Sequence, residues 1–202
     1  MASIQSLIAD FDTVLITASD SRRMTILRQV TDLFVDGAAS YSDDQVVVFG
    51  VVIALLMEKV DQQALIELSG KLTPIDNAPS AIIGRLARNN DLAIAGAILE
   101  KSNALMDKDI VDIAGAKGPD HLLAVAGRKQ IGEAITDALI GRGIPDIPEV
   151  LRRIVGNEHA RISHVGFVKL LNAAKRDPQL AKMIASRGDM PAELEPFLKL
   201  IA

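Results

Sequence analysis

Seven pairs of adjacent apolar residues recur down the back of this chain: Ile82-Ile83, Ile98-Leu99, Leu122-Leu123, Ala138-Leu139, Ile154-Val155, Leu170-Leu171 and Phe197-Leu198. Each sits in a short amphipathic segment closed by a tight break. A helix of about ten residues with one apolar face is marginal on its own. Such segments must therefore bury their faces against one another, which is how a helical solenoid is built. The expected fold is all-α: an α-α superhelix of stacked helix pairs preceded by an N-terminal helical segment.

Composition agrees. Hydrophobic residues make up 49% of the 202, yet aromatics are 3%, with no Trp and a single Tyr41. The apolar mass is Ala, Leu, Ile and Val, which suits close-packed helices. Cysteine is absent, which removes disulfides, thiolate ligands and thiol nucleophiles and agrees with a reducing compartment. The first apolar stretch is interrupted by Asp10 and Asp12 and has no basic leader, so no signal peptide is expected. The longest uninterrupted apolar run, Val46 to Met57, is twelve residues, against roughly 20 for a membrane span. It reads as a buried helix, and the protein as soluble and cytoplasmic.

The net charge of −4 is unevenly spread. Residues 1–80 carry five basic and eleven acidic side chains, and residues 81–202 carry seventeen basic and fifteen acidic. Neither half is basic enough to predict nucleic-acid binding.

The front half reads as four longer helices. Ile4, Leu7, Ile8, Phe11 and Leu15 give an amphipathic opening helix. After a capping break at Ser19-Asp20-Ser21, Ile26, Leu27, Val30, Leu33 and Phe34 share a face of a helix ending at Gly37. Ser42 and Gln45 are spaced as a capping box that starts a third helix at Asp43, running to about Lys59. That helix is apolar all round in its middle, which predicts burial on every side, inside the domain or in a subunit interface. Gln62 to Lys71 forms the fourth, and residues 73–77 are the expected boundary between an N-terminal segment (1–72) and the repeat array (76–202).

In the array, a helix from Pro79 to about Arg88 is followed, after Asn89-Asn90-Asp91, by its partner from Leu92 to Lys101. Later junctions resemble one another, and Leu105, Ile131, Ile162 and Met190 serve as anchors spaced 26, 31 and 28 residues apart. The unit is shorter and less regular than the roughly 40-residue HEAT or armadillo repeat. Pro119, Pro148, Pro178 and Pro191 stand where helices begin. Gly141, Gly143 and Gly188 stand where a left-handed closing residue is expected. No strand is expected.

The segments Leu86-Ala-Arg-Asn-Asn-Asp91, Ala97-Ile-Leu-Glu-Lys-Ser102, His121 to Arg128, Ile135 to Gly143, Gly156-Asn157, Ala160 to Ser163 and Arg187-Gly-Asp-Met-Pro191 carry a resemblance. Over about residues 76–195 the chain resembles the bacterial domain-of-unknown-function 2336 family, with a looser likeness to HEAT-like and leucine-rich-repeat-variant solenoids. The resemblance implies an all-helical repeat fold in a bacterium, and members with this pattern are often longer than this chain. It implies no activity and transfers no functional residues.

Chemistry-bearing residues are few. His159 and His164 are five apart, whereas helical metal pairs sit three or four apart. His121 lies in the first turn of a helix and reads as solvated. The acidic pairs Asp10/Asp12, Asp43/Asp44 and Asp107/Asp109 lie at helix starts or on exposed faces, where carboxylates meet the helix dipole favourably. Ser163, His164 and Asp177 name the members of a triad without a nucleophile elbow or oxyanion motif. No metal or cofactor is expected, and the chain reads as a non-enzyme.

The functional candidate is a row of arginines: Arg85, Arg88, Arg128, Arg142, Arg152, Arg153, Arg161, Arg176 and Arg187. Equivalent positions in a solenoid align, and an arginine stripe suits acidic partner segments. The bland counterpart is compensation of helix C-termini. Asn89, Asn103 and Asn157 stand at repeat breaks, as closing turns or as donors to an extended peptide. The expectation is a protein-protein interaction scaffold with a regulatory role in bacteria, binding through the repeat surface. The alternative is a structural homodimer joined through Val47, Val51 and Leu55, and a hydrolase or metal-dependent enzyme is the remotest reading.

Overall fold

A computed structural model describes residues 19–144 and 146–201, so the Ile4–Leu15 stripe and the Asp10/Asp12 pair lie outside the described residues. The described chain is all-α, of the α-α superhelix class, with no strand. Helix starts follow local chemistry. α1 (Asp20–Gly37) is capped by the Ser19 hydroxyl, which accepts from Arg22 N. α2 (Asp43–Leu56) opens on a reciprocal capping box between Ser42 and Gln45 and tightens into a 3₁₀ turn at Met57–Lys59. α3 (Gln62–Leu72) is capped by Asp61 and α5 (Leu92–Lys101) by Asp91, while α4 (Ser80–Ala87) follows Pro79. Beyond them lie α6 (Asp107–Ala116), α7 (Pro119–Ala126), α8 (Glu133–Gly143), α9 (Pro148–Gly156), α10 (His164–Ala174), α11 (Pro178–Ala185) and α12 (Glu195–Lys199). Pro119, Pro148 and Pro178 occupy the first helical position, where the missing N–H costs nothing.

The chain divides into two compact units, Met1–Met106 and Asp107–Ala202. In the first, α1, α3 and α5 pack side by side in one layer, α2 and α4 form the other, and α1 lies on α2 and α3 on α4. In the second, α6, α8 and α10 form one layer and α7, α9 and α11 the other, paired as α6/α7, α8/α9 and α10/α11. That division falls at Met106/Asp107, whereas the boundary read from the sequence, between 1–72 and 76–202, rested on the break at residues 73–77. α3 on one side of that boundary packs against both α4 and α5 on the other.

Hydrogen bonds between successive pairs carry the repeat period. In the first unit Arg28 binds Glu67, Lys71 binds Asp32 and Asn77 donates to Ala38 O, each across 39 residues. That step matches the roughly 40 residues of a HEAT-type unit, so the repeat starts earlier than position 76. In the second unit the step shortens: Thr136 to Arg161 O and Arg142 to Lys117 O span 25 residues, Asn157 to Ala126 O spans 31, and Arg187 to Val155 O spans 32. Ile131 and Ala160 add a parallel β-bridge between two connecting loops, closed by Arg161 N donating to Ile131 O at 2.9 Å.

The apolar pairs form the core: Ile82, Ile83, Ile98, Leu99, Leu122, Leu139, Ile154 and Leu170 are essentially inaccessible. Leu123 and Ala138 are half-buried, and Phe197 stands out in solvent beside buried Leu198. Two expectations are corrected. Gly141, Gly143 and Gly188 have no left-handed backbone, and Gly143 is required for space, since a Cβ there would lie 2.5 Å from Leu151 Cδ2. α2 is not buried all round: Gly50, Ile53 and Leu56 are inside, Val51 and Leu55 are half-buried, and Val47 and Val48 face out.

Candidate interaction surface

The arginine row does not stand as a stripe of available cations. Arg187 has only 7% of its side chain exposed and spends its donors internally. Nη1 donates to Val155 O (3.0 Å) and Asn157 O (2.9 Å), and Nη2 to Ala160 O (2.9 Å). Nε and Nη2 grip the Asp189 carboxylate at 2.7 and 2.6 Å. That grip holds the Asp189 carboxyl below its usual range, against the opposing effect of burial. Arg128 is also inside, at 9% exposure, where burial lowers its guanidinium below the ordinary value and Asp107 opposes the change. Arg152 pairs with Asp177 at 2.9 Å, Arg142 donates to Lys117 O, Arg88 to Gly84 O, and Arg85 reaches Ala54 O at 3.5 Å. Arg153, Arg161 and Arg176 lie on the exposed surface. Arg85, Arg142, Arg152 and Arg187 thus tie one repeat to another, and Arg88 bonds within its own helix.

The asparagines at the breaks do similar work. Asn157 donates from Nδ2 to Ala126 O and Arg128 O, and its Oδ1 accepts from His159 N. Because Asn157 O accepts from Arg187, three successive loops are joined in one relay. Asn103 donates to Asp76, and Asn89 accepts from Asp91 N.

The triad named from sequence is dispersed into structural roles. Ser163 caps α10 by accepting from Gly166 N and donates to Asp137 (2.8 Å), while Asp177 caps α11 and holds Arg152. His164 faces Glu193 at 3.5 Å on the surface. His121 and Asp109 are buried rather than solvated, because their helices turn those faces into the core. Among the described residues, no group of three or more His, Asp or Glu stands close enough to hold a metal ion. Nor is any described helix long and apolar enough to cross a membrane.

Exposed apolar side chains stand on several elements, among them Val165 and Val168 on α10 and Phe197 and Leu200 near the end of the described chain. Those on α1 and α2 adjoin an apolar groove. Leu33 is 59% exposed, Val47 62% and Val48 39%. Between the two helices runs a groove of about 380 Å³ lined by Val30, Asp44, Gln45, Val48, Phe49 and Val52. Its base is an aromatic cluster, with Phe49 centred 5.2 Å from Phe34 and 4.9 Å from Tyr41. Tyr41 is fixed by donating to Leu33 O. Sequence reading put Ile26, Leu27, Val30, Leu33 and Phe34 on one face. The helix divides them, with Leu27 and Phe34 inside and Ile26, Val30 and Leu33 on a second stripe. The spacing of that second stripe (i, i+4, i+7) was the available signal. A second groove of about 440 Å³, between Val155, Glu158, Met183 and Arg187, is walled by the satisfied Arg187–Asp189 pair.

No curated protein matches the chain, and no solved structure matches it. A family model described as an uncharacterised protein conserved in bacteria matches residues 94–196, just over half the chain. The match covers most of the second unit, including the Asn157–Arg187 relay and the Ile131–Ala160 bridge that set its repeat geometry. On that ground the chain belongs to the bacterial domain-of-unknown-function 2336 family.

Proposed function

We propose that the protein is a non-enzymatic protein-protein interaction scaffold of the bacterial cytoplasm, and that its docking face is the outer surface of α1 and α2 rather than the arginine row. The observation that carries this reading is the exposure of Leu33, Val47 and Val48 beside an apolar groove. End repeats of a solenoid need a polar outer face to stay soluble. Burying one such aliphatic side chain is worth about 1.5–3 kcal/mol, so an apolar edge is a strong handle for a partner. The non-enzymatic part is supported by Ser163, Asp177 and Asp137, whose polar groups are committed to caps and ion pairs. The cytoplasmic part is supported by the absence of cysteine from the sequence. Regulation of that partner belongs to the same reading.

The test is affinity capture from a bacterial lysate with quantitative mass spectrometry, comparing wild type with a Leu33→Ser, Val48→Ser variant of matched helicity. Proteins retained by wild type and lost by the variant support the reading, and an unchanged captured set refutes it. A homodimer through Val47, Val51 and Leu55 is the second reading, favoured by the exposure of Val47. Light scattering that shows a dimer abolished by Val47→Lys would select it.

A further inference from the structure

The face on α1 and α2 is the open edge of the first stack. At about 100° per residue, Gly50 and Ala54 lie on the opposite side of α2 from Val48 and Val52. Gly50 abuts Pro79, the residue preceding α4, and Ala54 O meets Arg85 on α4. On α1, Arg28 and Asp32, which bind Glu67 and Lys71 of α3, lie opposite Ile26, Val30 and Leu33. Each helix is therefore packed against the following pair on one side and carries an aliphatic stripe on the other. In the two-layer arrangement, that open side is the slot for one more helix, lying beside α2 and against α1.

The rim defines the charge of what fits. Asp44 lines the groove, Asp43 stands next to it at the α2 N-terminus, and Asp36 is exposed one turn beyond Leu33. Among the described residues no cation lines the groove. Arg28 and Lys71 are paired on the far side, and exposed Arg22 stands on the α1 stripe one turn before Ile26, away from Asp36. A second copy laid parallel would bring Asp36, Asp43 and Asp44 against their equivalents, and juxtaposed like charges are costly. An antiparallel copy would set them near exposed Arg22 instead, and a dimer seen by light scattering would overturn the proposal. Residues 1–18 contain Asp10 and Asp12 and no Lys or Arg, so their charge does not complement the rim either.

We propose that the α1–α2 groove receives an amphipathic helix of a partner protein, apolar along one face and basic at the end that meets Asp43 and Asp44. This rests on the reading of the face as a docking surface and adds the class of ligand. Val30, Val48, Phe49 and Val52 take the apolar stripe at i, i+3 or i+4, and i+7, and the carboxylates select Lys or Arg.

The experiment is fluorescence anisotropy with labelled peptides on the full chain. The first probe is a helical peptide as long as α2, 14 residues, with Leu on one face and Lys at its ends. The second replaces each Lys with Glu, the third scrambles the Leu positions, and the fourth is residues 3–18 of this chain. The basic amphipathic peptide is expected to bind at least about tenfold more tightly than the other three, and its affinity to fall with added salt. Asp43→Lys with Asp44→Lys is expected to reverse the preference between Lys and Glu peptides, while Val48→Ser weakens both. Equal binding of Lys and Glu peptides, no reversal by the lysine variant, or preference for residues 3–18 overturns the proposal. These failures are separable from the docking reading, which stands or falls on the capture comparison with Leu33→Ser, Val48→Ser.

Discussion

Replacing Arg187 with Ala removes the cross-tie between the last loops of the second unit, and the structure sets the size of the loss. Two recipient carbonyls belong to buried Val155 and Ala160 and the third to half-buried Asn157. Leaving a buried acceptor without its donor costs about 1–3 kcal/mol. We take about 1–1.5 for each of the two buried carbonyls and about 0.5 for Asn157, which regains water. The ion pair adds little, because the Asp189 side chain is 49% exposed and such pairs are worth about 0–1 kcal/mol. The expected destabilisation is about 3 kcal/mol. Arg187→Lys keeps the charge but cannot span three carbonyls and a carboxylate, so it is expected near 2 kcal/mol. In urea, with a slope of about 2 kcal/mol per molar, the Ala variant's midpoint falls by about 1.5 M, followed by circular dichroism. Hydrogen exchange at the Asn157–Ala160 loop localises the effect. Arg176→Ala, on the exposed surface, should stay within about 0.5 kcal/mol of wild type. An Arg187→Ala midpoint indistinguishable from that control would refute the accounting and return Arg187 to the pool of cations available to a partner.

Asp189→Asn tests the same tie through pH. The folded-state carboxyl is held below its ordinary value by the Arg187 hydrogen bonds. Its stabilisation is therefore present above the unfolded carboxylate value of about 3.9 and lost as pH falls through the lower folded value. The stability gap between wild type and Asp189→Asn, read by urea titration, should be constant near neutrality and close on acidification below about pH 4; a gap that widened in acid would contradict it. In α8, Gly143→Ala should destabilise by about 1–3 kcal/mol, because its Cβ would strike Leu151. Gly141→Ala, two residues earlier with nothing within 4 Å, should stabilise by about 0.5 kcal/mol; thermal melts of the two variants should move in opposite directions.

Helix starts were legible in the sequence because the atoms that create them are neighbours in the chain. Ser19, Ser42 with Gln45 and the helix-opening prolines each act within a few residues, so spacing alone identifies them. The apolar pairs likewise announced stacking, since short one-faced helices have no other way to leave water. The spacings of 26, 31 and 28 anticipated the 25-to-32-residue hydrogen bonds of the second unit. The 39-residue step of the first unit escaped notice because its longer α1 and its 3₁₀ turns hide the same topology.

What the tertiary structure alone decided is the fate of polar and apolar groups whose partners come from another repeat. An arginine at a helix end has the same sequence signature whether it faces water, like Arg176, or is sunk among three carbonyls from a neighbouring loop, like Arg187. The apolar run from Val46 to Met57 similarly looked buried all round. Its exposure depends on whether a helix lies on each side of α2, and α4 covers only one. Local chemistry shapes each helix, but burial is a property of the assembled stack, and a residue's solvent exposure is set by chain some 25 to 39 residues away.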